Sequence, residues 1–183
     1  MTTVCTRLYH CVISAHCLID VKAYSGNVDG TTRLGHVRLN GLVVLEAGWY
    51  APTPLPNLRG VNVIRVDPFT CTELEERRFD TFVDENAAAH LSTFLQQLTS
   101  GSIVVVVTGD EPTSELSAAL RTLRDMGADV TDVGYRGAFA FVAQKGFPAK
   151  TVLRKALTEA DAFETQPHIT AVVSGTIYCT AYN

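Results

Sequence analysis

The sequence predicts a mixed α/β domain in which two to three helices pack on β-sheet. Three observations predict it. Ile103–Val107 is an unbroken β-branched run, the pattern of a strand buried on both faces. Ala88–Leu98 and Leu116–Met126 each space their apolar residues at helical intervals. Short alternating segments bounded by turn residues recur on either side of them.

In chain order, Cys17–Tyr24 alternates as a strand, and Ser25–Gly30 is dense in turn residues. Val37–Leu45 reads as one or two strands about a turn at Asn40-Gly41. Pro52, Pro54 and Pro56 block both helix and central strand. They mark an extended linker that divides an N-terminal β-rich segment (1–56, partly integral to the domain) from a core domain (57–183). Val61–Val66 is a strand, Asp67–Cys71 a turn, and Glu73–Phe79 a charged strand suited to a solvated sheet edge.

Asp84 then fits an N-cap for a helix carrying Ala88, Leu91, Phe94, Leu95 and Leu98, with Gly101 as its stop. Thr113 or Ser114 suits the cap of a second helix, with Leu116, Ala119, Leu120, Leu123 and Met126 as its stripe and Gly127 as its end. Around the Ile103–Val107 run, the order strand, helix, strand, helix looks like a parallel α/β unit. Ala138–Val142 is a further strand, Lys150–Ala160 a candidate third helix, and Ile169–Val173 and Ile177–Thr180 closing strands.

Composition excludes several classes of function. The chain has 183 residues, a formal net charge of -4 and scattered basic residues, which gives no footprint for nucleic acid or acidic membranes. No apolar stretch approaches the roughly 18 residues of a membrane span, and the N-terminus shows no convincing signal peptide. The five cysteines (Cys5, Cys11, Cys17, Cys71, Cys179) are an odd number, so at least one is left over or bonds another chain. Cys5, Cys11 and Cys17 lie six apart, without the tight knuckle of structural zinc. Strand cysteines or one or two disulfides fit better, and no metal or other cofactor is expected.

The polar chemistry concentrates at strand ends. Arg59, Asp110 and Arg136 offer two cations and a carboxylate that can converge on one polar ligand. No Gly-rich phosphate loop, Rossmann fingerprint, His-x-x-x-His pair or Gly-x-Ser-x-Gly elbow accompanies them. Taken singly, each has a plainer reading. Asp110 and Glu111 suit helix-start electrostatics, and Arg59 and Arg136 suit solvated or ion-paired arginines. The pattern favours recognition over catalysis, so no enzyme is expected.

From about Val21 to Cys179 the chain resembles the interleukin-like EMT inducer (ILEI/PANDER) domain family. The resemblance rests on Arg59-Gly-Val-Asn-Val-Ile-Arg-Val66, Arg78-Phe-Asp-Thr81, Gly101-Ser-Ile-Val-Val-Val106, Asp110-Glu111, Leu120-Arg-Thr-Leu-Arg-Asp-Met-Gly127 and Gly134-Tyr-Arg-Gly-Ala-Phe-Ala-Phe-Val-Ala-Gln-Lys-Gly146, in family order. The Val28–Thr32 turn is similar to the start of the version found in the stem of protein O-mannose N-acetylglucosaminyltransferase. The resemblance implies a compact, β-sandwich-like domain with flanking helices and no catalytic activity. In that stem the domain is a lectin for N-acetylglucosamine, and its sugar contacts fall on Arg59, Asp110 and Arg136 here. Three positions depart from the family pattern: Gly137 replaces an Asp, Phe139 a Trp and Pro112 a Gly.

The expectation is therefore a lectin-like domain whose partner is a glycan, N-acetylglucosamine-containing ones among the candidates. Its rivals are a structural or interaction subunit of an extracellular, ciliary or viral assembly, and a cytokine-like secreted ligand; oligomerisation is left open. Resemblance also implies the secretory pathway, and a disulfide joining Cys179 to Cys11 or Cys17.

Overall fold

The computed structural model describes residues 2–5, 11–24, 35–47, 58–147, 151–155 and 171–179. Strands β1 (Thr2–Cys5), β2 (Cys11–Ala23), β3 (Gly35–Leu39) and β4 (Leu42–Ala47) form one antiparallel sheet in that order. A last strand, β10 (Ala171–Cys179), pairs along Ala15–Ala23 of β2. The second sheet has the order β6-β5-β7-β8-β9, built from β5 (Gly60–Val66), β6 (Glu73–Phe79), β7 (Ile103–Gly109), β8 (Ala138–Gln144) and β9 (Thr151–Lys155). Helices α1 (Ala87–Gln97) and α2 (Leu120–Asp125, entered through a 3-10 turn at Ser117–Ala119) complete the mixed α/β fold.

The molecule has three layers, and the second sheet is the middle one. Its Ile64, Val66, Val105, Val107, Ala140 and Val142 pack against Ile19, Val21, Val37, Leu39 and Leu45 of the first sheet. On its other face Val61, Val63, Val104, Val106, Phe139 and Phe141 pack against Leu91, Leu95, Leu116 and Leu123 of the helical layer. This explains why every residue of β7 and β8 is buried. Period-2 alternation of polarity disappears when both faces of a strand are dry.

The run at Ile103–Val107 is thus doubly buried as expected, but the expected parallel unit is wrong. β7 runs antiparallel to both β5 and β8. A continuous apolar strand reports coverage of both faces and not the direction of its neighbours; here a second sheet supplies the cover on one side. The third helix expected at Lys150–Ala160 is also replaced. Thr151–Lys155 is β9, paired with β8 from Val142↔Thr151 to Ala138↔Lys155, where it closes the exposed side of β8 with backbone hydrogen bonds. Residues 156–160, the turn at 25–30 and the Pro-rich stretch at 51–56 lie outside the described residues.

Local signals fared better. Asn40 (φ 51°) and Gly41 (φ 82°) turn β3 into β4, with the positive φ values of an Asn-Gly hairpin turn. β6 is an exposed sheet edge whose charges pair along the strand, Arg77 with Glu75 at 2.7 Å and Arg78 with Glu76. Asp84 sits two residues before the cap, which is Asn86. Its Oδ1 accepts from the Asn86 amide at 2.9 Å and its carbonyl from the Ala87 amide at 3.0 Å, so it shapes the turn before α1. Gly127 ends α2 as expected, donating its amide to Arg124 at 2.8 Å with φ 88°.

One disulfide joins Cys17 of β2 to Cys71 in the β5–β6 turn, tying the first sheet to the second. Cys17 is therefore unavailable to Cys179, and that pairing implied by the resemblance is excluded. Cys71 was legible only as a turn residue, because its partner lies 54 residues away on another layer. Replacing both cysteines by Ala is expected to cost up to about 4 kcal/mol on loop entropy for this separation. Urea unfolding checks it: the transition midpoint falls well below wild type, and reductant shifts only the wild-type curve.

Candidate functional site

The register of the central strands builds the site. Gly60 of β5 faces Gly109 of β7, so the next pair outward in the register is Arg59 and Asp110. Neither glycine has room for a side chain. A Cβ on Gly60 (φ 89°) would stand 2.2 Å from the Phe79 carbonyl, and one on Gly109 would stand 2.5 Å from the Leu58 carbonyl. β8 begins at the same end of the sheet. The Thr108 hydroxyl donates to the Phe139 carbonyl and accepts from the Phe139 amide, each at 3.0 Å, and Arg136 stands just before that strand.

Arg59 is held by its side chain. Its Nε donates to both Asp80 carboxylate oxygens at 3.0 and 3.1 Å, and its Nη2 to Oδ2 at 2.6 Å. The guanidinium carbon also lies 5.0 Å from the centre of the Phe82 ring. Both partners come from the Arg78–Thr81 block and the residue after it. The planar fork is thereby oriented by a carboxylate it cannot leave without losing charge-assisted bonds.

Arg136 is held by its backbone instead. Glu111, only 1% exposed, accepts from the Thr113 amide and hydroxyl at 2.6 Å each and from the Ser114 amide at 3.1 Å through Oε1. Its Oε2 accepts from the Arg136 amide. One buried carboxyl group therefore ties the loop after β7 to the loop before β8. The Arg136 guanidinium lies 5.7 Å from the Tyr135 ring, and its Nε is buried without a hydrogen-bond partner.

Asp110 sits between these arginines with its backbone in the left-handed region, at φ 55°; Arg136 also has φ 55°. Burial is the largest influence on the Asp110 carboxyl and holds it above its ordinary value. Arg136 and Arg59 pull it down, while Glu111 and Asp80 add to the rise. Among the described residues no hydrogen bond reaches that carboxylate. Tyr24 packs its ring against Gly109, and its hydroxyl is pushed up to about 12 by burial and by Asp110. The site is thus a half-buried carboxylate in the field of two guanidiniums, one clamped by Asp80 and one anchored only through its backbone, close enough to feel both and bonded to neither.

All three residues predicted from sequence fall at this one end of the sheet. The roles of Asp80, Glu111 and Tyr24 were missed. Asp80 was visible inside the Arg78–Thr81 block but is 21 residues from the arginine it clamps. Glu111 was read as a helix-start charge, but the helical turn begins only at Ser117; its carboxylate binds the Thr113 and Ser114 amides in the preceding loop, and nothing local signalled its bond to the Arg136 amide. The structure shows the surroundings of the three departures. A Cβ on Gly137 would lie 2.1 Å from the Val133 carbonyl, so the loop has no room there for the Asp of the family pattern. Phe139 is fully buried, and the Pro112 carbonyl accepts from the Thr81 hydroxyl at 2.7 Å. Among the described residues no group of three or more His, Cys, Asp or Glu is arranged to hold a metal.

A three-layer domain with a polar cluster at one end of its middle sheet is the class of protein these features define. Residues 59–147, just under half of the chain, match the model of the interleukin-like EMT inducer (ILEI) family. Protein FAM3D of Homo sapiens is 27% identical over 95 residues, which cover 51% of this chain and 42% of that protein. Cell surface hyaluronidase of Danio rerio is 34% identical over 91 residues, 48% of this chain and 7% of that protein. Cell surface hyaluronidase CEMIP2 of Homo sapiens is 34% identical over 87 residues, 46% of this chain and 6% of that protein. The chain therefore spans under half of FAM3D and a small fraction of either hyaluronidase.

Glu111→Ala strands the amides of Thr113, Ser114 and Arg136 and is expected to cost about 1–3 kcal/mol. Hydrogen exchange checks the mechanism, since the Arg136 amide must exchange faster in the variant while amides in the middle of β7 keep their order of protection. Asp110→Asn has the opposite sign. Because the folded state raises its pKa, the carboxyl costs nothing below its unfolded value of about 3.9 and opposes folding once pH rises through the folded value. The variant is therefore expected to melt higher than wild type at neutral pH, with the two melting curves converging as pH falls below about 3.9.

Proposed function

We propose that this chain is a non-catalytic carbohydrate-recognition domain whose sugar site contains Arg59, Asp110 and Arg136. One observation carries the reading: Asp110 stands between two positioned guanidiniums and accepts no hydrogen bond from the described residues. A carboxylate can accept from two neighbouring sugar hydroxyls while guanidinium N–H groups donate to the oxygens beside them. Such charge-assisted pairs are directional and about twice as strong as neutral ones. The buried Nε of Arg136 adds an unused donor at the same place. Glu111 is spent on backbone amides and Asp80 on Arg59, which leaves Asp110 without an uncommitted second carboxyl for paired acid–base work.

The similarity to proteins named as cell surface hyaluronidases supports a glycan as the ligand class. The disulfide supports a location in the secretory pathway or outside the cell, where such bonds persist. A second reading, a protein-binding module, is favoured by Leu42 and Val43 on β4, which are 74% and 49% exposed on a sheet edge.

A glycan array probed with wild type and Arg136→Ala separates the readings. Wild type is expected to bind a restricted set of glycans and the variant to lose at least about 1.4 kcal/mol, a tenfold drop in affinity. A folded wild type that binds no glycan would sink the carbohydrate reading and leave the protein-binding one.

A further inference from the structure

We infer that Cys5 and Cys11 form a second disulfide, which staples β1 to β2 across the sheet, and that Cys179 is the cysteine left over. The inference rests on strand register and is independent of the carbohydrate reading. The chain has five cysteines, and the Cys17–Cys71 bond uses two of them. The others lie on β1, β2 and β10, so the pairing of those strands decides which of them can meet.

β1 and β2 are antiparallel, and their register runs from Thr2↔Ser14 to Cys5↔Cys11. The two cysteines are therefore directly opposite one another, at the end of the ladder where the chain leaves β1 for β2. Opposite residues of an antiparallel pair have Cα atoms about 4.5 or 5.5 Å apart, according to the hydrogen-bonding type of the pair. Both values fall inside the roughly 4.4–6.8 Å that a disulfide spans. Opposite residues also share a face of the sheet, so no change of register is needed to join them.

The register also removes the competing pairings. β10 runs antiparallel to β2, and its Cys179 lies opposite Ala15. Ala15 is four residues from Cys11 on a continuous strand, which at about 3.3 Å per residue is roughly 13 Å along it. Cys5 stands level with Cys11 and is equally far along the sheet from Cys179. Cysteines whose Cα atoms are more than about 7 Å apart cannot be bridged without moving the backbone. The bond from Cys179 to Cys11 implied by the family resemblance is thus excluded along with the one to Cys17. The even spacing of Cys5, Cys11 and Cys17 has two structural meanings. Its first interval crosses from one strand to the next, and its second runs along β2.

Bond formation needs an oxidant, and a small disulfide such as oxidised glutathione supplies it by exchange. One cysteine thiolate attacks the small disulfide and releases a thiol. The other thiolate attacks the mixed disulfide and releases a second. Two protein thiols are oxidised to one disulfide, and the small disulfide is reduced to two thiols that carry off both protons. The Cys17–Cys71 bond implies surroundings in which this exchange runs forward.

The test maps bonds in the full chain folded in a glutathione redox buffer, alkylated without reduction and cut with trypsin. Cleavage after Arg7, Lys22, Arg65, Arg77 and Lys155 puts Cys5, Cys71 and Cys179 on separate peptides and leaves Cys11 with Cys17 on another. The expected product is one species of three peptides held by Cys5–Cys11 and Cys17–Cys71, with Cys179 alkylated. Fragmentation between Cys11 and Cys17 assigns each bond. The monomer fraction of wild type, denatured but unreduced, should show one reactive thiol, and Cys5→Ser and Cys11→Ser two each. Three or more reactive thiols in wild type, or a bond from Cys5 or Cys11 to any other cysteine, overturns the inference.

Discussion

The structure depends on one constraint, that the central strands β5, β7 and β8 are buried on both faces. Val105 and Val107 point to one apolar layer and Val104 and Val106 to the other. Each such valine contributes about 1.5–3 kcal/mol by leaving water. A strand in that position has no wet face for a polar side chain, so most polar residues of β5, β7 and β8 lie near the strand ends, and Asn62, inside β5, is buried with its amide bonded to the Leu58 and Val107 carbonyls. Thr108 shows the transition: it is buried and polar, and it is tolerated because its hydroxyl both donates to and accepts from the Phe139 backbone. Two residues later, at Asp110, the chain emerges from the core.

What emerges there is fixed by three separate devices. The Gly60–Gly109 pair lets β5 and β7 end close beneath the Phe79 and Leu58 carbonyls, which sets Arg59 next to Asp110. Asp80 orients the guanidinium of Arg59 from the side. Glu111 positions Arg136 through its amide and leaves its side chain uncommitted to that bond. The arginines therefore differ in kind. One is a rigid fork with its charge balanced, and the other has an anchored backbone and a buried unpaired Nε. A site built on strand ends and braced by buried hydrogen bonds is held more rigidly than one on a long loop.

Features set by neighbouring residues were legible in the sequence: the Asn40-Gly41 hairpin, the charged edge β6, the two apolar helix stripes and the double burial of β7. Features set by pairing were not. Ile103–Val107 announces that both its faces are dry, yet a second sheet and a layer of parallel crossover helices would dry them equally well. Thr151–Lys155 is too short for periodicity to separate strand from helix, and its state is decided by the open edge of β8. Cys17 found Cys71 because the sandwich stacks β2 on the β5–β6 turn. Arg59, Asp110 and Arg136 could be named because family motifs flank each of them. The clamps that hold them could not, since Asp80 to Arg59 and Glu111 to Arg136 are contacts 21 and 25 residues apart.

Where the fold departs from local preference is itself informative. Among the described residues, four that are not glycine have positive φ: Asn40, Cys71, Asp110 and Arg136. Asn40 is at home in a hairpin turn, and Cys71 is held by its disulfide. Asp110 is, like Asn, of a type that visits this region, but Arg136 bears a conformation that costs a residue of its type about 1–3 kcal/mol. The buried atoms without partners sort in the same way. Asn62 keeps two bonds from its amide to backbone carbonyls, and Arg65 has Glu75 at 3.6 Å. The unpaired Nε of Arg136 alone among these coincides with backbone strain and with a carboxylate raised by burial. Strain, an orphaned donor and a desolvated acid in one corner each oppose folding. Their coincidence is economical if a single ligand relieves more than one of them, by satisfying the donor and by bonding the acid. That is why this end of the sheet, and not the exposed apolar residues of β4, carries the functional argument.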